Sequence, residues 1–479
     1  MLLLAALGAA LMLASPAAAH RQMRLGLVDP TVQQSPTAPV LDRMRDTNTA
    51  MFRVNVFWSR TAPGGNDKPA GFDARNPADP AYNFSATDQL VRELAARGVE
   101  PIFTVLEAPN WAEGNSASDR AKRKGETGTY NPNPAELRDF AYALASRYSG
   151  SFAPSSGGGA LPRVRYHQVW NEPNFGQYLV SATKSEIPRQ YARMLNAYYS
   201  GAKQASKSNV VIAAGLGPYG FNGHATDYDP QVFMRAVFCL SGKAGRNLKP
   251  RRGCSPSRVS FDAWAQHPYT LEGNPRSKGR SPEAGAIGNM PQIRATLDAA
   301  ARAKRVSPAG KKPIWITEMG WFSNPPGART GDGREIGVPL ATQARYLSEA
   351  AYRMWRLRVE VFLWYALRDY PDWKGGLYLS GNSFAEDKPK PVLESFRFPF
   401  YAQRSSKRLL VWGLVHRAAA TNVAIERLSG STWREVARVR SDSRGLFYQR
   451  VKSGGRGTYR ARALDGAKAG LTSYTFAVR

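Results

Sequence analysis

The segment Arg163-Val164-Arg165-Tyr166-His167-Gln168-Val169-Trp170 runs directly into Asn171-Glu172-Pro173-Asn174. Its first eight residues, with β-branched and aromatic side chains, read as a strand, and the polar cluster begins where that strand should end. A carboxylate just past the carboxyl end of a strand is what a (β/α)8 barrel uses to build a reactive mouth. Pro173 disfavours a helical backbone at Glu172, so the sequence predicts an extended Glu172 and a helix that starts later.

A second stretch repeats the arrangement. Pro313-Ile314-Trp315-Ile316-Thr317 reads as a strand and is followed at once by Glu318-Met319-Gly320-Trp321. Six further apolar runs complete the set: Arg24–Val28, Met51–Trp58, Glu100–Leu106, Val210–Ala214, Ser260–His267 and Val359–Trp364. Eight strands are what a closed parallel barrel requires.

Helical periodicity fills the intervals at Ala86–Arg97, Ile187–Ser206, Gln231–Leu240, Pro291–Arg305 and Ala341–Leu357. Another helix opens at Asn133-Pro134-Ala135-Glu136, with a capping Asn and a Pro in the first turn. An open, doubly wound sheet would share this alternation. The two strand-end glutamates favour the barrel, because its mouth can bring both together.

After Gln403 the pattern changes to short alternating runs between Gly, Ser and Asp turns: Leu409–Leu414, Asn422–Arg427, Glu435–Val439, Phe447–Val451 and Thr458–Ala463. That spacing predicts a small all-β sandwich. The expected organisation is therefore an α/β TIM barrel over residues 20–403 and a sandwich over 404–479. Residues 1–19 form an apolar Leu/Ala/Met run closed by Ser15-Pro16-Ala17-Ala18-Ala19, which reads as a signal peptide and predicts a secreted protein. No Lys or Arg precedes that run, so an uncleaved anchor is the competing reading. No later stretch is long and apolar enough to cross a bilayer.

Charge and cysteine narrow the classes further. The chain carries 66 Lys+Arg against 37 Asp+Glu, a formal net charge of +29. From Ser405 to Arg479 the count is 15 against 4. This excess suits anionic surroundings such as a cell-envelope polymer, although a high Arg content can also reflect genome composition. No segment reads as a nucleic-acid-binding module. Cys239 and Cys254 are too few for a structural zinc site, and one disulfide across a surface loop is the expected use in an exported chain. Two separate buried thiols are the alternative. The five histidines show no metal-ligand spacing, and no phosphate loop, dinucleotide fingerprint or Gly-x-Ser-x-Gly elbow follows a strand, so neither metal nor cofactor is expected.

Two converging carboxylates suit cleavage of a glycosidic bond, where one must be neutral to protonate the leaving oxygen and the other ionised. On Trp170-Asn171-Glu172-Pro173 and Ile316-Thr317-Glu318-Met319-Gly320-Trp321 the chain resembles glycoside hydrolase clan A, closest in flavour to family 39 and the cellulase-like family 5 relatives. The resemblance covers about Arg24 to Phe400. It implies a retaining β-glycosidase acting on an oligo- or polysaccharide, with Glu172 as acid/base and Glu318 as nucleophile. It further implies Arg53 as electrostatic support of the nucleophile, Asn171 as a contact to the sugar 2-hydroxyl, and His267 and Tyr269 as the His-x-Tyr pair beside the nucleophile. Trp364 or Tyr365 is the expected aromatic platform, and Trp111 a further stacking residue.

Each residue also has a plainer use. The aromatics can be core, Arg53 a salt-bridge residue and His267 a structural histidine. Glu107 and Asp369, and more weakly Asp29, are fallback strand-end carboxylates. A monomer is expected. A catalytically silent carbohydrate- or wall-binding protein on the same barrel is the rival. The sugar and its linkage are not readable.

Overall fold

The computed structural model describes residues 23–114, 119, 127–220, 225–270, 273–324, 337–406, 408–452 and 455–478. The expected leader, residues 1–19, lies outside them. Eight parallel strands close into a barrel: β1 (Arg24–Val28), β2 (Met51–Phe57), β3 (Glu100–Leu106), β4 (Tyr166–Val169), β5 (Val210–Leu216), β6 (Ala263–Gln266), β7 (Ile314–Ile316) and β8 (Val359–Tyr365). Each pairs with the next in the chain, and β8 returns to β1 with Gly26 opposite Leu363.

A helix follows every strand: α1 (Ala38–Asp46), α2 (Ser85–Ala96), α3 (Pro134–Arg147), α4 (Ile187–Ala205), α5 (Pro230–Val237), α6 (Met290–Arg302), α7 (Leu340–Arg356) and α8 (Val392–Arg397). The α3 start is capped as expected, Asn133 Oδ1 accepting the Ala135 N–H at 2.9 Å. Among the described residues, no helix is long and apolar enough to cross a membrane.

Period-2 alternation sorts the strand side chains into two layers. Ile102, Ile212, Ala265, Trp315 and Leu363 fill the inside of the barrel. Phe103, Val105, Val211, Trp264, Phe362 and Trp364 face the helices. Both faces are buried, which is why these strands read as almost continuous apolar runs. Gly26 permits the closest approach of β1 to β2, since a Cβ there would stand 2.3 Å from the Met51 carbonyl oxygen.

Some boundaries depart from the sequence expectation. Strand β4 starts at Tyr166 rather than Arg163. Helix α5 ends at Val237 instead of Leu240, because Cys239 takes φ 53° and turns the chain into a hairpin, Leu240–Lys243 with Arg246–Pro250. Cys239 and Cys254 are joined by a disulfide at the base of that hairpin.

The antiparallel region begins before Gln403, since β9 (Phe400–Ser405) already pairs with β10 (Arg408–Leu414). With β13 (Leu446–Lys452) these strands form one sheet, ordered β9-β10-β13. The second sheet runs β12 (Thr432–Arg440), β11 (Asn422–Ser429), β14 (Gly457–Ala463), β15 (Phe476–Val478). Phe400, Leu409 and Val411 of the first sheet meet Val423, Ile425 and Tyr459 of the second in a separate core.

The other face of the first sheet lies against the barrel. Tyr401 stacks on Tyr352 of α7 with ring centroids 4.2 Å apart and planes at 10°, and Trp412 lies 5.9 Å from Trp355. Burial on both faces explains the unbroken apolar run Leu409–Leu414. The same region reaches the amino ends of β1 and β2: the Leu25 N–H donates to His416 Nε2 at 3.1 Å, and Arg417 Nη1 donates to the Thr49 carbonyl at 2.9 Å. The sandwich therefore covers the floor of the barrel and leaves the carboxyl ends of the strands to the loops.

Candidate active site

Four strands bring residues to one place at the mouth of the barrel. Arg53 sits on β2, Glu172 three residues beyond β4, His267 and Tyr269 just beyond β6, and Glu318 two residues beyond β7. The turn after β4 is tight. Trp170 (φ 70°) and Glu172 (φ 39°) both enter the left-handed region, which costs non-glycine residues about 1–3 kcal/mol each. This corrects the expectation of an extended Glu172: Pro173 excludes the right-handed helical conformation, and the backbone takes the opposite hand. The Glu172 N–H donates to the Gly215 carbonyl at 3.1 Å, and its carbonyl accepts the Phe175 N–H at 2.8 Å. Gly215, itself at φ 83°, leaves room for the site, because a Cβ there would lie 2.9 Å from His267 Nε2.

Arg53, 2 % exposed, acts as the hub. Its Nη1 donates to Glu318 Oε1 at 2.5 Å, Nη2 to Asn171 Oδ1 at 2.7 Å and Nε to Thr104 Oγ1 at 2.8 Å. Asn55 Oδ1 accepts a longer bond from Nη2, at 3.3 Å. Tyr269 donates its hydroxyl to the other oxygen of Glu318 at 3.0 Å.

His267 lies between the two glutamates, with Nδ1 3.0 Å from Glu172 Oε1 and Nε2 3.0 Å from Thr317 Oγ1. Arg53 Nη1 also faces Nε2, at 3.4 Å. Guanidinium can only donate, so Nε2 is assigned as the acceptor and Nδ1–H as the donor to Glu172.

These contacts pull the two carboxyls apart electrostatically. Burial pushes the Glu172 pKa up, helped by the negative charge of Glu318 and opposed by the hydrogen bond from His267 and by Arg53, with a net rise. Burial pushes Glu318 up as well, but His267, the Arg53 charge and hydrogen bond, and the Tyr269 hydroxyl together outweigh it, and its pKa is lowered. Tyr269 is pushed well above its ordinary value by burial and then by the Glu318 charge, so it remains a donor. The arrangement makes Glu172 hold a proton more tightly than Glu318 does, the asymmetry that an acid and a nucleophile need. Both side chains remain reachable, at 13 % and 15 % exposure.

One carboxylate oxygen of Glu172, one of Glu318 and a His267 nitrogen all lie within 4.8 Å of one another. Such a set could gather round a cation. However, Arg53 already places a positive charge on Glu318, and both His267 nitrogens have protein partners. That favours proton transfer over ion binding at these residues.

The aromatic candidates separate. Tyr365 lines the mouth: its carbonyl accepts the Trp373 indole N–H at 2.7 Å, and its hydroxyl accepts from Tyr370. Trp364 belongs to the core instead, fully buried, with its N–H on the Gly375 carbonyl at 2.9 Å and its ring 6.1 Å from Trp321. Trp111 is also core, 7 % exposed, its N–H on the Pro63 carbonyl at 2.8 Å and its ring edge-on to Trp58. Neither offers an open face to a sugar, which corrects both expectations; strand alternation points Trp364 at the helices.

The fallback carboxylates are held elsewhere. Asp29 accepts from the Thr31 and Val32 N–H groups and from the Leu367 N–H. Asp369 pairs with buried Lys390 at 2.6 Å. Glu107, at φ 55°, has its pKa raised by burial and stands outside the Glu172–His267–Glu318 cluster.

Several participants escape a reading of the sequence. Asn55 follows Arg53 by two residues and so shares its strand face, a signal that was available. Thr104 and Thr317 carry no such mark. Trp373, which meets the Tyr269 ring edge-on at 5.6 Å, comes from an irregular loop without periodicity.

No family model matches the chain, and no curated protein matches it. Among solved structures it is similar to a family 39 glycoside hydrolase from the gut symbiont Bacteroides cellulosilyticus WH2, at 17 % identity over 90 % of this chain and 81 % of that one, with TM-score 0.51. It is also similar to a glucosidase from Croceicoccus marinus (14 % identity, 96 % and 92 % covered, TM-score 0.48) and to a GH39 enzyme from Xanthomonas axonopodis pv. citri (14 %, 91 % and 92 %, TM-score 0.49). At such identities the first likeness is one of fold, the closed (β/α)8 barrel.

Proposed function

We propose that the protein is a secreted glycoside hydrolase that cleaves β-glycosidic bonds of an oligo- or polysaccharide with retention of configuration. The observation that carries this reading is the pair of strand-end carboxyls, Glu172 with raised pKa and Glu318 with lowered pKa, whose nearest oxygens lie within 4.8 Å. Retaining enzymes hold their two carboxyl groups about 5–5.5 Å apart, whereas inverting ones leave about 6.5–9.5 Å for a water. The barrel shared with a family 39 hydrolase is in keeping with that class.

In the first step a Glu318 oxygen bonds to the anomeric carbon. The glycosidic carbon–oxygen bond breaks, and the leaving oxygen takes the Glu172 proton. In the second, Glu172 as carboxylate takes a proton from water, the water oxygen bonds to the anomeric carbon, and the ester to Glu318 breaks. Arg53 and Tyr269 hold Glu318 ionised and oriented, His267 holds Glu172, and Asn171, fixed by Arg53, is placed for the sugar 2-hydroxyl. Tyr365 serves as the platform. No step needs a cofactor.

The disulfide Cys239–Cys254 supports an oxidising, extracytoplasmic location. The residues before Phe400 form the catalytic unit, the sandwich that begins with β9 is a supporting module, and the chain acts as a monomer.

A 2-deoxy-2-fluoro-β-glycoside panel with activated leaving groups tests the reading. One adduct per chain at Glu318 is expected, with Glu318→Gln blocking it and nearly abolishing turnover while unfolding cooperatively as the parent does. Normal hydrolysis by Glu318→Gln would remove the assignment. Glycan binding without turnover by the parent would point to a silent binder.

A further inference from the structure

The disulfide-closed hairpin carries charge for which the barrel mouth has no use. Between Cys239 and Cys254 lie Lys243, Arg246, Lys249, Arg251 and Arg252, with no Asp or Glu. The hairpin does not stand free. Its tip folds onto the start of α6, where a Cβ on Gly245 would lie 3.0 Å from the Gln292 Cα. Between that tip and the β6–α6 loop lies a cavity of about 410 Å3, within the ~300–1,000 Å3 span of small-ligand sites. Lys243 and Arg246 line it from the hairpin and Lys278 from the loop, with Ser281, Asn289 and Gln292 between them.

Glu283, the one carboxylate on this wall among the described residues, is engaged by Arg235 at 2.6 Å. Among the described residues, Lys243, Arg246 and Lys278 have no carboxylate partner. Three cations round one concavity repel each other, and a frame tied by a disulfide and seated on a helix cannot easily spread to relieve them. An anion entering the cavity therefore gains attraction from all three exposed side chains on a backbone frame that is already in place.

The rest of the lining narrows the ligand. Asn289 spends Oδ1 on the Gly279 N–H at 2.8 Å, which directs its amide donors elsewhere, and Gln292 Oε1 is buried without a partner. Amide and hydroxyl side chains suit sugar hydroxyls, whereas among the described residues no aromatic ring lines the cavity to stack a nucleobase. We propose that this cavity is a second glycan site, which takes an acidic polysaccharide strand with a uronate carboxylate between Lys243, Arg246 and Lys278. The loop that supplies Lys278 begins at Tyr269 beside Glu318, so a strand held here lies along the loop that borders the mouth. The site does not depend on the catalytic reading, because it binds whether or not Glu318 reacts.

The test uses the full-length Glu318→Gln protein with its disulfide intact. Binding of oligogalacturonate and of duplex DNA is measured at one ionic strength by calorimetry. The combined change Lys243→Ser, Arg246→Ser, Lys278→Ser should weaken oligogalacturonate binding at least about tenfold, the loss of roughly one charge-assisted contact or more. Removing the same charge at exposed Lys207, Arg302 and Arg450 should change it less than about twofold. In the otherwise native chain the cavity variant should keep its turnover of small aryl glycosides. Equal weakening by both triple variants would reduce the effect to net charge and overturn the proposal. So would absence of oligogalacturonate binding, or DNA binding that depends equally on the three cavity residues.

Discussion

At the carboxyl ends of the barrel strands, Glu172, His267, Arg53 and Glu318 are buried against one another with opposed pKa shifts. At the amino ends, burial holds His416 neutral, its pKa lowered to about 3, and its ring accepts the Leu25 N–H while Tyr401 and Trp412 lie on α7. Both ends bury polar groups, yet of the two only the mouth is built round a buried ion pair, Arg53 with Glu318. The floor gains its stability from ring packing and neutral hydrogen bonds. The mouth spends backbone strain at Trp170 and Glu172 to hold an acid next to a base. One scaffold thus separates the work of holding the fold from the work of reaction, and changes at the two ends should have different consequences.

The largest contrast is expected from Glu172→Ala. Without its proton donor, kcat/KM on sugar leaving groups should fall about 10²–10⁴-fold. Nitrophenyl glycosides, whose leaving group departs without a proton, should lose far less in their first step. Rates across a leaving-group series check this, and an equal loss for all of them would break the assignment of the mouth.

At the floor, Trp412→Ala removes a buried ring and should destabilise the chain by about 3–5 kcal/mol. Turnover at 25 °C, where the variant is still folded, should be unchanged. Urea unfolding beside steady-state rates reads both quantities. A variant of native stability but reduced activity would show that the two ends are coupled.

The smallest effect is the most selective. Tyr269→Phe deletes the 3.0 Å bond that lowers the Glu318 pKa. The nucleophile must be ionised, so activity is lost as pH falls through its pKa, and the acid limb of kcat/KM should move to higher pH by about one unit. The alkaline limb follows loss of the Glu172 proton and should move much less. A shift of the alkaline limb alone would reverse the roles of the two glutamates.

How much of this was legible follows from what each signal encodes. Strands buried on both faces appear as apolar runs, so all eight were visible, and Glu172 and Glu318 stood out because each follows its run immediately. The aromatic residues were less readable. Val359–Tyr365 is apolar at nearly every position, so its composition does not say that Leu363 and Tyr365 point inward and Trp364 outward. Strand β9 was hidden by the polar half of Phe400–Ser405, and the hairpin after α5 by the polar Ser241–Pro250. The backbone of Glu172 is not fixed by its neighbour, because Pro173 excludes one conformation without choosing among the rest.

By itself, the sequence determined the barrel, the order of its strands and the identity of the two facing carboxyls, since these depend on local periodicity and on position at strand ends. Only the tertiary structure decided which carboxyl keeps its proton more tightly, because that depends on Arg53 arriving from β2 and on His267 and Tyr269 arriving from β6. It also decided which aromatic rings face the mouth, and it formed a cavity from a hairpin and a loop about thirty residues apart. Burial and charge at such places are sums over neighbours distant in the chain, and no window of sequence contains them.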